Sequence, residues 1–121
     1  MKKRFVVFFW VMVVLSACKN EDEIMREEII GTWDVYASEM NNQPNGFMKD
    51  AYFTFTKDAK VVSNLFPQNQ EQNYNLEEGR LQIDIPEGFD LLVTRLEQDT
   101  LWMEGKLSYY FMKYAMVKRK P

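Results

Sequence analysis

Beyond residue 31 the chain is a succession of short β-rich runs with almost nothing helical between them. Eight such runs can be read, over 32–39, 51–57, 60–66, 72–76, 80–85, 89–97, 100–104 and 109–119. Leu81, Ile83 and Ile85 alternate with Gln82 and Asp84, and Phe53 and Phe55 alternate with Tyr52, Thr54 and Thr56. The breaks carry turn residues: Asn41-Asn42 and Pro44-Asn45-Gly46, Lys57-Asp58, Glu78-Gly79, Pro86-Glu87-Gly88, Gln98-Asp99 and Glu104-Gly105. Every link except the first is short, and short links join antiparallel neighbours. Parallel pairs need crossover helices, for which there is no room. So many consecutive strands must hide their edges. An eight-stranded antiparallel up-and-down barrel does this by closure, and a two-sheet β-sandwich is the alternative. The fold class is all-β, with one short helix expected over 24–30. Met25 and Ile29 share a face there and Gly31 ends the pattern.

The N-terminus reads as an address. Lys2, Lys3 and Arg4 precede an apolar run of 11 residues, 5–15, and then Ser16, Ala17 and Cys18. A positive start, a short apolar stretch and small residues form the layout of a secretory signal, and the run is too short for a spanning helix of about 20 residues. Leu15-Ser16-Ala17-Cys18 resembles a bacterial lipobox. The resemblance implies lipidation of Cys18, whose thiolate is the nucleophile that takes up the lipid. The chain thus divides into a signal peptide (1–17), a lipidated tether (18–23) and a barrel domain (24–121). Lys19-Asn20-Glu21-Asp22-Glu23 is a solvated polar run. It also resembles the acidic export signal of some Bacteroidota lipoproteins, which favours display at the outer-membrane surface over a periplasm-facing orientation.

Charge and composition narrow the function classes. The 121 residues carry 18 acids and 15 bases, for a net charge of −3. Removal of residues 1–17 takes away three positive charges and no negative ones, leaving −6. An acidic chain lacks the basic footprint of a nucleic-acid binder. There is no His and a single Cys, so imidazole metal sites, His-assisted catalysis, disulfides and Cys-rich zinc sites are absent. No metal or cofactor is expected. Carboxylates alone can catalyse glycoside hydrolysis. The pairs Glu77/Glu78 and Glu97/Asp99, however, sit in or beside turns, where solvated charge is the ordinary role. The chain is read as no enzyme.

A family resemblance follows from three segments. Ile29-Ile30-Gly31-Thr32-Trp33-Asp34-Val35 resembles the Gly-x-Trp opening of lipocalin-like domains. Tyr52-Phe53-Thr54-Phe55-Thr56-Lys57-Asp58-Ala59-Lys60-Val61 is similar to the second and third strands of small bacterial lipocalin-like lipoproteins. Leu96-Glu97-Gln98-Asp99-Thr100-Leu101-Trp102-Met103 is similar to their sixth-to-seventh strand hairpin. Together these span roughly 29–119. The resemblance implies an eight-stranded barrel in which Trp33 packs across the closed end under a cation from Lys118 or Arg119. Gly31, Trp33, Lys118 and Arg119 are therefore structural signature residues. Ala59 stands where a turn Gly is more usual. The chain lacks the long lid loops and extra helix of full-size lipocalins, which argues against a spacious cavity.

Two functional readings remain. In the first, the barrel holds a small apolar or amphipathic ligand, since eight strands enclose either side chains alone or one small ligand. Its lining candidates are Phe53, Phe55, Leu81, Ile83, Leu91 and Val93, continued by Leu101, Met103, Met112, Tyr114 and Met116. Read without a ligand, the same residues are a packed core, and that reading is preferred. In the second, the protein is a lipid-anchored surface interaction module with a protein partner. The longest connection, 40–50, carries Phe47 and Met48 and is its candidate contact.

Overall fold

The structure, a computed structural model, describes residues 20–46, 50–107 and 109–120. Cys18, the signal segment, Phe47 and Met48 lie outside the described residues.

The helix α1 (Glu21–Glu28) starts three residues earlier than the pattern of apolar residues predicts. Asn20 explains the difference. Its side chain accepts a hydrogen bond from Asp22 N at 2.7 Å, capping the first turn. Glu21, Asp22 and Glu23 then sit at the positive end of the helix dipole. The acidic run read as tether is thus in part the helix start. Met25 and Ile29 do share a face: Ile29 is fully buried and Met25 packs against the core.

The strands are β1 (Gly31–Met40), β2 (Gln43–Pro44), β3 (Tyr52–Phe55), β4 (Lys60–Ser63), β5 (Gln72–Glu77), β6 (Arg80–Ile83), β7 (Phe89–Leu96), β8 (Thr100–Leu107) and β9 (Tyr110–Lys118). Setting aside the two-residue β2, eight strands follow one another antiparallel, and β9 returns to pair with β1. The sheet is therefore a closed eight-stranded barrel, not a sandwich, and closure removes the edges that an open meander would expose.

β2 occupies part of the long connection. Asn41 and Asn42 both take positive φ, 53° and 68°, in a two-residue hairpin that pairs Met40 with Gln43. Asn tolerates this geometry, and primed turns match the strand twist. Glu104-Gly105 is not a break, because β8 runs through it to Leu107. A Cβ on Gly105 would lie 2.9 Å from Leu91 Cδ2 and 3.1 Å from the Asp90 carbonyl. The glycine permits close approach of β7 rather than a turn.

Ala59 closes the β3–β4 turn with a φ of +60°. That region costs an L-residue with a Cβ about 1 kcal/mol or more, and glycine avoids the cost. Ala59→Gly is expected to stabilise the protein by about 1 kcal/mol, raising the thermal midpoint by about 5 °C. Calorimetry of the two proteins reads this directly, and a fall in midpoint would show that the turn is not strained.

The connections sort by end. The turns at 56–59, 78–79 and 97–99, the helix and the chain end beyond Lys118 gather at one end of the barrel. Asp22 Oδ1 accepts from Glu78 N at 2.9 Å, Arg26 Nε donates to Leu76 O at 3.0 Å, and Lys118 N donates to Asp99 O at 3.0 Å. The described residues 41–46, 50–51, 64–71, 84–88 and 109, which leave or enter the other strand ends, lie at the opposite, open end. Residue 20 therefore leaves the domain at the closed end.

Candidate functional site

At the closed end Trp33 is fully buried and donates from Nε1 to Ile29 O at 2.8 Å. Trp33 and Lys118 are register partners across β1 and β9, and Lys118 Nζ lies 5.5 Å from the indole centroid. The cation over Trp33 is thus Lys118, in cation–π geometry. The Lys118 side chain also explains Gly31. A Cβ there would stand 2.7 Å from Lys118 Cε, and the φ of +133° suits glycine. Arg119 takes a different partner. Its Nε donates to Asp34 Oδ2 at 3.0 Å, and its guanidinium stacks over Tyr52 at 5.3 Å. The hydrogen bond from Arg119 holds the Asp34 carboxyl below its ordinary pKa. A lowered carboxyl adds stability above the usual carboxylate range and loses it as pH falls through the lowered value. With both side chains exposed to solvent, this pair is a minor contributor.

The eleven lining candidates converge on one interior. Phe53, Leu81, Leu91, Leu101 and Met116 are inaccessible to water, and Phe55, Met103, Tyr114, Ile83 and Met112 are accessible to 3% or less. Val93 is half-buried and packs against the others. An internal void large enough for water would expose these side chains to it, so the candidates fill the barrel themselves. Phe53 is the hub. Its ring lies 6.2 Å from Phe55, 6.3 Å from Phe66 and 6.1 Å from Phe89, centroid to centroid. Phe66 and Phe89 were not among the sequence candidates. Phe89 is the first residue of β7, two before Leu91, so the alternation of that strand places it on the inner face. Phe66 gave no such signal. It is turned inward by a loop in which Phe66 N donates to Ser63 O at 3.2 Å and Leu65 N to Ser63 Oγ at 3.1 Å.

What remains at the open end is a shallow recess of about 210 Å³, lined by Phe53, Phe66, Ile85, Phe89, Leu107 and Tyr114 with Leu65 and Glu87 at its edge. Burial pushes the Tyr114 phenol up to about 12, so it stays neutral. Ligand pockets for drug-sized molecules run from about 300 to 1,000 Å³, so this recess admits a small group and not a whole lipophile. Exposed apolar residues stand at this end: Tyr109, 88% exposed, together with Tyr110 and Leu65.

No family model matches the sequence, and no curated protein matches it either. Among solved structures, the crystal structure of a lipocalin-like protein from Bacteroides uniformis superposes with a TM-score of 0.59 at 16% identity, covering 76% of this chain and 99% of the other. At that identity the likeness carries the fold alone. A closed eight-stranded antiparallel barrel with one short helix, shared with that protein, is a lipocalin-like fold.

Proposed function

We propose that this protein is a non-enzymatic, membrane-anchored lipoprotein of the outer membrane. Its lipocalin-like barrel is a filled scaffold that presents the open end to a protein partner at the cell surface. The observation that carries this reading is the packed interior: ten of the eleven lining candidates are accessible to 3% or less. A filled eight-stranded barrel is a rigid stem. Part of its exposed apolar surface, Tyr109, Tyr110 and Leu65, lies on the rim at the end opposite α1. An anchor at Cys18 would leave that rim facing away from the bilayer. Residues 41–46 and 50, on either side of Phe47 and Met48 in the chain, belong to the same end. A second reading keeps the small amphipathic ligand but confines it to the recess, whose mostly apolar lining would take only the tip of an apolar chain.

The anchor and the rim are tested separately in cells. Cys18→Ala is expected to abolish incorporation of labelled fatty acid and to release the protein from the membrane fraction. Unchanged retention and processing would contradict lipidation. With the anchor intact, Tyr109→Ser/Tyr110→Ser is expected to abolish crosslinking to a membrane partner while leaving the thermal midpoint within a few degrees. Crosslinking that survives this change would contradict the rim as the contact.

A further inference from the structure

We propose that the outer wall of the barrel carries a binding site for a neutral oligosaccharide, centred on Trp102. This goes beyond the open-end reading and rests on other residues.

Two β-bulges frame the site. One falls between Val35 and Ala37 in β1, the other between Val93 and Arg95 in β7. Between them, Ala37 pairs with Ala115 on β9, Ala115 with Trp102 on β8, and Trp102 with Arg95 on β7. The two bulges thus lie at opposite ends of one row across four strands. Each turns a consecutive pair of side chains outward, Tyr36 with Ala37 and Thr94 with Arg95. Bulges bend strands in barrels, and they also re-aim side chains next to sites. Here both re-aimed long side chains reach the same indole. Trp102 Nε1 and Tyr36 Oη are 3.2 Å apart, and the Arg95 guanidinium lies 4.9 Å from the Trp102 ring centroid. Trp102 is 39% exposed on the outer face, yet it is held from two sides.

Beside it is an open depression of about 360 Å³, lined by Ala37, Thr94, Trp102, Glu104, Lys113 and Ala115, with Glu39 at the margin. The two alanines give it depth, because longer side chains at these register positions would fill it. The chemistry selects the occupant. Lys113 Nζ lies 4.0 Å from Glu104 Oε2, and Arg95 Nε lies 3.1 Å from Glu97 Oε1, so the cations already have carboxylates and an anionic ligand gains little. An alkyl chain would cover Glu104, Lys113 and Thr94 without satisfying them, which is costly. A sugar ring has an apolar C–H face for the fixed indole and hydroxyls for the carboxylates, the ammonium and the Thr94 hydroxyl. An aromatic side chain with a polar surround is suited to such a two-faced ligand.

The full chain, reconstituted in phosphatidylcholine nanodiscs, is titrated with hexasaccharides of α-1,4-glucan, β-1,4-glucan, β-1,4-xylan and β-1,4-mannan, and with an oligogalacturonate as an anionic comparison. Calorimetry and indole fluorescence are the readouts. At least one neutral hexasaccharide is expected to bind, with an affinity that salt leaves unchanged. Trp102→Ala is expected to weaken it about tenfold or more. Ala115→Gln, which fills the floor and leaves Trp102 in place, is expected to do the same. Tyr109→Ser/Tyr110→Ser is expected to bind as the parent does, so failure of the open-end reading and failure of this site are distinguishable. The absence of binding by all four neutral sugars, binding that survives Trp102→Ala, or binding of the oligogalacturonate alone would overturn the proposal.

Discussion

Replacing Phe53 by Ala is expected to cost about 3–5 kcal/mol, to lower the thermal midpoint by roughly 15 °C or more, and to give the barrel an interior binding capacity that the parent lacks. The side chain is inaccessible to water and centres a cluster with Phe55, Phe66 and Phe89. Three aromatic neighbours on different elements cannot all collapse into the space it leaves, so the cavity term adds to the lost transfer energy. An apolar cavity of that kind stays dry and takes up a small apolar molecule. Calorimetric titration with benzene should show uptake by Phe53→Ala and none by the parent. Phe53→Leu leaves a smaller void at a cost of about 1–2 kcal/mol, and serves if the alanine variant is too unstable to handle. A loss below about 1 kcal/mol for Phe53→Ala would mean that the surrounding side chains close into the space the ring leaves.

The second large effect is at the closed end. Trp33→Ala is expected to destabilise by about 3–5 kcal/mol, a large share of the 5–15 kcal/mol typical of a domain. The loss has two parts. One is the buried ring, beneath the Lys118 ammonium. The other is the 2.8 Å hydrogen bond to Ile29 O, which ties α1 to the start of β1. Trp33→Phe divides them in part, since it keeps an aromatic ring beneath Lys118 while removing the donor and some of the indole's buried volume. It is expected to cost about 1–2 kcal/mol, as a buried carbonyl loses its partner. Urea unfolding of the three proteins reads the difference. Equal losses in the two variants would show that the aromatic ring kept in Trp33→Phe contributes nothing to stability.

Much of this architecture was legible in the residues. The alternation at Phe53/Phe55 and Leu81/Ile83 placed the inner faces of β3 and β6 because nothing interrupts the period there. Ala59 was conspicuous as a turn position without glycine, and it holds positive φ. The closed-end assembly followed from the Gly31-x-Trp33 resemblance, although choosing Lys118 over Arg119 needed the register of β1 against β9. What stayed hidden depends on register or on tertiary contact. The bulges beside Tyr36 and Thr94 break the two-residue period, so Ser38 rather than Ala37 points inward. Gly105 carries the composition of a turn but serves close packing against Leu91 and Asp90. Phe66 enters the core from a loop, where periodicity has no meaning. Barrel versus sandwich was undecided for a related reason: both use the same strands, and only the β1–β9 pairing distinguishes them. The outer depression at Trp102 was equally invisible, because it depends on Ala37 and Ala115 coming together across strands.

The filled barrel is tested most directly by native mass spectrometry of the full-length protein, released from its own membrane in a mild detergent. The expected mass is that of the covalent chain with any acyl groups attached to it, alone or with a protein partner, with nothing further lost on gentle collisional activation. A lipophile retained one-to-one and released only on unfolding would show that the interior holds a ligand, and would contradict a barrel filled by its own side chains.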